Sequence, residues 1–218
     1  MIKLVIFDLD GVLLDSESLY KQINLGFFKE LGVEITNEEY NSFIGISGDK
    51  MWGYIKKKGN LEQSIDSLRV DEKERKYNGL KENELTPNPG LLALLVLIKS
   101  KGIPLAIASS GLMKNIQLIL EKLKLTRYFN HIISGEMPEK GKPAPDIFLL
   151  AAEHFKIDPA HCLVIEDSRN GVLAAKSAGM KCVGYVNKGS GNQDLSKADL
   201  IIESFSNPDL FNIISNKI

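Results

Sequence analysis

Two aspartates, Asp8 and Asp10, follow directly on the apolar run Leu4 to Phe7. Alternate residues of an extended segment point the same way, so both carboxylates leave the strand side by side. Like charges this close raise one another's pKa unless a cation neutralises them. The pair therefore implies a shared proton or a bound metal. With only oxygen ligands on offer, a hard divalent ion such as magnesium suits it. The competing account is an acidic strand-to-loop turn in which Gly11 supplies an unusual backbone angle.

Three further stretches carry groups that could act with this pair. In Ala106-Ile107-Ala108-Ser109-Ser110-Gly111, a hydroxyl and free backbone N–H groups at a strand end make a cradle for phosphate; a plain helix cap is the alternative. In Gly141-Lys142-Pro143-Ala144-Pro145-Asp146-Ile147-Phe148, a lysine precedes a helix whose start the prolines set, which gives the ammonium a fixed position. An exposed turn lysine is the alternative there. In Val164-Ile165-Glu166-Asp167-Ser168, a second acidic pair ends an apolar run and completes an oxygen-rich cation site. The alternative, an Asp or Ser capping the next helix, is compatible with this but does not explain the pair.

The elements that must position these groups follow from periodicity. Short apolar runs without polar alternation, as expected for strands buried on both faces, are predicted at Leu4 to Phe7, Pro104 to Ala108, His131 to Ser134, Cys162 to Ile165, Lys181 to Val186 and Asp199 to Ile202. Helical spacing is predicted over Leu91 to Lys101, Leu112 to Leu123, Ala144 to Phe155 and Arg169 to Ala178. Such alternation means an α/β chain with a doubly wound parallel sheet. Open sheets of that kind bind ligands at the carboxyl ends of their strands, where all four stretches end. Residues 15–85 read differently. Helices are predicted from Ser18 to Leu31 with Ser16 as cap, from Thr36 to Ile44 with a capping box to Glu39, from Lys50 to Lys57 and from Ile65 to Asn83. The expectation is a small all-helical domain over 15–85, inserted into a core formed by 1–14 and 86–218, with Thr86-Pro87-Asn88-Pro89-Gly90 as the returning linker.

The four stretches resemble, in order and spacing, the motifs of the haloacid dehalogenase superfamily: Asp8-Leu9-Asp10-Gly11-Val12, Ser109, the Lys142-Pro143 octet, and Glu166-Asp167-Ser168 continuing to Gly171, Ala174-Ala175 and Gly179-Met180. The helical insert resembles the cap of the subgroup that contains phosphoglycolate phosphatase, small sugar phosphatases and β-phosphoglucomutase. The resemblance implies a Rossmann-like core and a Mg2+-dependent phosphotransferase acting on a small phosphorylated metabolite. It implies Asp8 as nucleophile, Asp10 as general acid and base, and Lys142 as the charge clamp on phosphate and nucleophile. Ser109, Ser110, Gly11 and Lys142 are the implied phosphate contacts. Magnesium is implied on the Asp8 carboxylate, the backbone carbonyl of Asp10 and the Asp167 carboxylate, with Glu166 acting through a metal-bound water. Glu17, Tyr20, Ser47 and Lys50 are the cap positions expected to set specificity. Tyr20 stands where the mutase has a histidine, and the stretch Gly45 to Lys50 lacks the mutase's arginine. A phosphatase is therefore expected ahead of a mutase, with a non-catalytic phosphate-binding relative as a third reading.

Bulk properties exclude several classes. The 218 residues carry a net charge of -1, which offers no long-range attraction for nucleic acid or an anionic membrane, and neither is expected as a partner. No apolar run reaches the length of a membrane span. Met1-Ile2-Lys3 leads straight into a core strand, so no leader is expected, and a cytoplasmic monomer is. Cys162 and Cys182 are expected to be free, packed thiols. His131, His154 and His161 fall in no motif, and Trp52 and Tyr54 are expected to pack.

Overall fold

The structure, a computed structural model, describes residues 1–43, 46 and 48–215. Six strands form one parallel sheet: β1 (Leu4–Phe7), β2 (Leu105–Ser109), β3 (His131–Ser134), β4 (Cys162–Glu166), β5 (Lys181–Tyr185) and β6 (Leu200–Ile202), in the order β3-β2-β1-β4-β5-β6. The first strand lies in the middle. The chain runs from it to β2 and β3 on one side, then to β4, β5 and β6 on the other. The strand order reverses at β1, and there an open sheet leaves a crevice outside its carboxyl ends.

Burial explains the strand composition. Every residue of β1, β2 and β4 is buried, as parallel strands covered on both faces require. Leu4, Ile6, Ala106, Ala108, Cys162 and Val164 pack in one cluster with Phe148, Ala151, Val172 and Ala175 from the flanking helices. Register aligns the strand ends. Phe7 pairs with Ile107 and with Ile165, so the residues that follow, Asp8, Ala108 and Glu166, come level at one edge.

Clustering of backbone contacts divides the chain into two compact units, Met1–Asp15 with Leu85–Ile218, and Ser16–Glu84. The smaller unit holds α1 (Glu17–Glu30), α2 (Asn37–Asn41), α3 (Gly48–Gly59) and α4 (Ile65–Glu82). Its core forms around Trp52, whose ring meets Phe27 and Phe28 edge-on at 5.4 Å each and whose Nε1 donates to Glu72 at 2.6 Å. Trp52 thus packs as expected, while Tyr54 is exposed and donates its hydroxyl to Glu39 at 2.8 Å. The Thr36–Glu39 capping box forms in both directions, at 2.8 and 3.1 Å. Ser16 departs from expectation. It is buried, its backbone is helical, and its side chain makes no cap hydrogen bond. The predicted helix end at Ile44 lies outside the described residues.

The larger unit adds α5 (Leu91–Ser100), α6 (Met113–Lys122), α7 (Asp146–Phe155), α8 (Arg169–Ser177) and α9 (Pro208–Ser215). The start of α7 falls two residues later than predicted, because Pro145 takes the cap position. The last helix was not predicted; its buried Leu210 and Ile214 are four residues apart, one helical turn. Among the described residues no helix is long and apolar enough to cross a membrane.

Candidate active site

Asp8 is the first residue past β1, and its N–H donates to Ile165 O at 3.0 Å, which continues the β1–β4 pairing. From there its carboxylate meets Lys142, which lies 134 residues away in sequence. Lys142 Nζ stands 2.6 Å from Asp8 Oδ1 and 2.7 Å from Glu166 Oε1 and donates at 3.2 Å to Ala108 O. These three acceptors match the three protons of an ammonium. The lysine side chain is 6% exposed and its charge lies 4.9 Å from the centre of the Phe148 ring, a cation–π arrangement. The Lys142–Pro143 peptide bond is cis.

Electrostatics follow from burial. Desolvation pushes the Asp8 carboxyl up to about 7; Lys142 pulls it back, while Glu166 and Asp10 push it further up. Asp167 is also raised well above the ordinary carboxylate range, first by burial and then by the charges of Glu166 and Asp8. Burial opposes the charge on Lys142, yet Asp8 and Glu166 hold its pKa above that of an ordinary lysine. The site thus concentrates more negative than positive charge in a water-poor place.

The remaining groups surround this centre. Ser109 ends β2, buried, and its Oγ accepts the Gly111 N–H at 3.0 Å. A Cβ added at Gly111 would stand 3.2 Å from that hydroxyl and 3.8 Å from Asp10 Oδ2, which puts Ser109 and Asp10 both next to one glycine. Ser110 follows and is exposed. The turn after Asp10 is held from the returning chain: Asn88 Nδ2 donates to Gly11 O and Val12 O at 2.9 Å each, and Asn88 N–H to Leu13 O at 2.8 Å.

Two expected site residues have partners within the protein that the motifs did not foretell. Gly11 was expected to contact phosphate, but its N–H donates to Leu14 O at 2.8 Å within the turn. Its service is steric. With φ at +82° it adopts a conformation that suits glycine, and a Cβ there would collide with the Asp167 carboxylate. Glu166 was expected to act through a metal-bound water. Its Oε1 meets Lys142, and its Oε2 accepts from Ser168 N–H at 2.7 Å and Ser168 Oγ at 2.9 Å. Both oxygens are thus engaged by protein donors. A side chain at Gly171 would strike this carboxylate, and the Gly171 N–H donates to Ser168 Oγ at 3.1 Å, so Ser168 caps α8 and anchors Glu166 together.

Asp167 is buried and its Oδ2 accepts the Ser190 hydroxyl. Sequence reading missed Ser190 and Asn88, because no motif spacing links either to an aspartate; Phe148 lies in the octet with Lys142, but its ring contact with the ammonium was not foreseen. Among the described residues, no three His, Cys, Asp or Glu side chains form a metal-holding group. What the site offers a cation is two carboxylates, Asp8 and Asp167, raised in pKa by burial and by each other's neighbours. That fits magnesium, which takes one or two carboxylates and fills its octahedron with water and substrate phosphate oxygens.

Three of the four expected specificity residues belong to the smaller unit. Glu17 opens α1, Tyr20 lies on α1 with Lys76 Nζ 5.0 Å from its ring centre, and Lys50 is exposed on α3. Ser47 lies outside the described residues. His131 and His161 stand at the amino ends of β3 and β4, the edge opposite Asp8, and His131 stacks on His154 at 3.5 Å.

With this geometry in hand, comparisons narrow the chemistry. A sequence model of the haloacid dehalogenase-like hydrolases matches residues 5–185. A phosphorylated carbohydrates phosphatase of Thermotoga maritima is 33% identical over 180 residues, which cover 81% of this chain and 82% of that protein. A β-phosphoglucomutase of Bacillus subtilis is 34% identical over 211 residues, covering 94% and 90%. The solved structure of CbbY from Rhodobacter sphaeroides in complex with phosphate superposes with a TM-score of 0.82 at 27% identity, covering 94% of this chain and 96% of that one.

Proposed function

The chain belongs to the haloacid dehalogenase-like hydrolases, and from that premise we propose that it is a magnesium-dependent phosphatase of a phosphorylated carbohydrate that works through a phosphorylated Asp8. The observation that carries this reading is the Lys142 ammonium, held 2.6 Å from Asp8 Oδ1 at the reversal point of a parallel sheet. Burial raises the Asp8 carboxyl, and the fixed Lys142 ammonium pulls it back towards the ionised form that can attack phosphorus.

The steps balance with groups present in the chain. An Asp8 oxygen attacks phosphorus; the bond to Asp8 forms as the bond to the ester oxygen breaks. Asp10 gives its proton to the departing alkoxide, so the alcohol leaves neutral. Asp10, now ionised, takes a proton from water, and the hydroxide attacks the same phosphorus. The Asp8–phosphorus bond breaks, inorganic phosphate leaves, and both aspartates return to their starting states. The Ser109 hydroxyl binds a phosphoryl oxygen and the Lys142 charge stands beside the attacking carboxylate, so catalysis here is positioning and charge stabilisation. Asp8, the backbone carbonyl of Asp10 and Asp167 would hold the magnesium, which when bound neutralises charge on the carboxylates and on the phosphoryl group. Glu166 and Phe148 fix the lysine.

The smaller unit is read as a cap that selects the leaving group and excludes water during turnover. Free, buried thiols at Cys162 and Cys182 support a reducing, cytoplasmic setting. A second reading, a phosphosugar mutase, draws on the likeness to the Bacillus subtilis β-phosphoglucomutase. Tyr20, where that kind of enzyme has histidine, favours the phosphatase. A panel of phosphorylated sugars and hydroxy acids, assayed with magnesium for released phosphate, tests the proposal. Interconversion of β-glucose 1-phosphate and glucose 6-phosphate faster than phosphate release would favour the mutase instead.

A further inference from the structure

Beyond the motifs, the loop after β5 reaches the centre of the site through one hydroxyl. The Ser190 side chain is buried and donates to Asp167 Oδ2. A serine hydroxyl has one proton, so the direction of that bond depends on what else the oxygen meets. It meets Asn187 Nδ2, which donates to Ser190 Oγ at 2.9 Å. The amide orientation of Asn187 is itself fixed, because its Oδ1 accepts the Gly189 N–H at 3.0 Å. The chain of bonds therefore has a single sense: Gly189 N–H to Asn187, Asn187 to Ser190, Ser190 to Asp167. The loop is also tied to the start of α8. Gln193 Nε2 donates to Ser190 O at 2.9 Å, and Gln193 Oε1 accepts the Arg169 N–H at 3.1 Å. On the other side the pair rests against Gly11: a Cβ there would collide with Asp167 and stand 2.9 Å from Ser190 Oγ.

We infer that Ser190 is a positioning residue for the cation site, its hydroxyl oriented by Asn187 so that it locks the Asp167 carboxylate against Gly11 in the orientation that receives magnesium together with Asp8. The inference rests on the magnesium-dependent reading of the site. A group that hydrogen-bonds a metal-binding side chain sets its orientation, and losing it costs about 10- to 100-fold in metal affinity. Ser190 touches neither substrate nor the reacting atoms in this scheme; it acts through Asp167.

The test is calorimetric titration of MgCl2 into the substrate-free protein, with melting temperatures measured in EDTA. Ser190→Ala is expected to raise the magnesium Kd about 10- to 100-fold while still unfolding in a single cooperative transition in EDTA. Ser190→Thr, which keeps the hydroxyl, is expected to recover most of the affinity. Asn187→Ala, which leaves the hydroxyl without its orienting donor, is expected to weaken binding in the same direction. An unchanged magnesium Kd in Ser190→Ala, or a loss that Ser190→Thr does not reduce, overturns the inference. If Ser190→Ala does not fold, Asn187→Ala decides: unchanged affinity overturns the inference and weakened affinity supports it. Wild-type protein that binds no magnesium would instead remove the metal from the functional reading, an outcome distinct from equal binding by wild type and Ser190→Ala.

Discussion

Lys142 Nζ stands 2.6 Å from Asp8 Oδ1, although 134 residues separate the two in sequence. The same ammonium lies 2.7 Å from Glu166, whose side chain is 1% exposed. Removing one member of a buried charged group leaves the others uncompensated, which costs about 3–5 kcal/mol. Lys142→Met should therefore be destabilised by about that amount in urea denaturation at alkaline pH. Its turnover should fall about 10²- to 10³-fold, as when a preorganised charge-stabilising donor is lost. A stable and active Lys142→Met would show that the ammonium does not hold the nucleophile.

Stability should also depend on pH in a way that magnesium reverses. The Asp8 carboxyl rises on folding from 3.8 to about 7, and Asp167 moves in the same direction. Between those values the folded state binds more protons than the unfolded chain, so stability falls as pH rises. Lys142 opposes the rise at Asp8, while Glu166 and Asp10 reinforce it. In EDTA the melting temperature should thus be lower at about pH 8 than at about pH 5, other titrations being equal, and a magnesium-induced rise should be larger at the higher pH, where no proton has to be displaced. The quantity to measure is the magnesium-induced shift at each pH. An equal shift at both would separate the cation from these carboxylates.

The sheet was legible in the sequence because buried parallel strands leave unbroken apolar runs, and each run here stops at a polar residue that the register brings to one edge. Asp8, Ser109 and Glu166 could be picked out in that way. Lys142 could be picked out by its prolines, but not its partners, since Asp8 and Glu166 reach it only through the tertiary crossing. Glu166 illustrates the limit. The motif gave it a part in the cation site through a metal-bound water, but not its protein partners, which the fold shows to be Lys142 and Ser168. The loop holding Asn187, Ser190 and Gln193 has no periodicity, so its polar bonds were invisible until the chain closed. The last helix, α9, was missed although its start is marked: Asn207 precedes Pro208 and its Oδ1 accepts the Asp209 N–H at 2.8 Å.

Gly11→Ala tests the close approach. The substitution forces a Cβ into the left-handed region and into the Asp167 carboxylate. Strain of this backbone kind costs about 1–3 kcal/mol. The expected result is a measurable loss of stability together with weaker magnesium binding, read by thermal unfolding and calorimetry on the same sample. Wild-type values for both would contradict the packing of Asp167 on Gly11.

Substrate choice should separate from chemistry. Tyr20 and Lys50 belong to the smaller unit, and the reacting groups to the larger one. Replacing either residue by alanine should change relative rates across a panel of phosphorylated carbohydrates far more than it changes hydrolysis of p-nitrophenyl phosphate. Equal losses on every substrate would make these residues part of the catalytic machinery or of folding.

The central claim is that phosphorus passes through Asp8. The direct measurement is rapid acid quench during turnover of a phosphorylated carbohydrate with magnesium, followed by mass spectrometry of the peptide carrying Asp8. The account predicts one phosphoryl group on Asp8 early in turnover, absent when substrate is exhausted and absent in Asp8→Asn. Phosphate release with Asp8 never modified, and undiminished in Asp8→Asn, would contradict it.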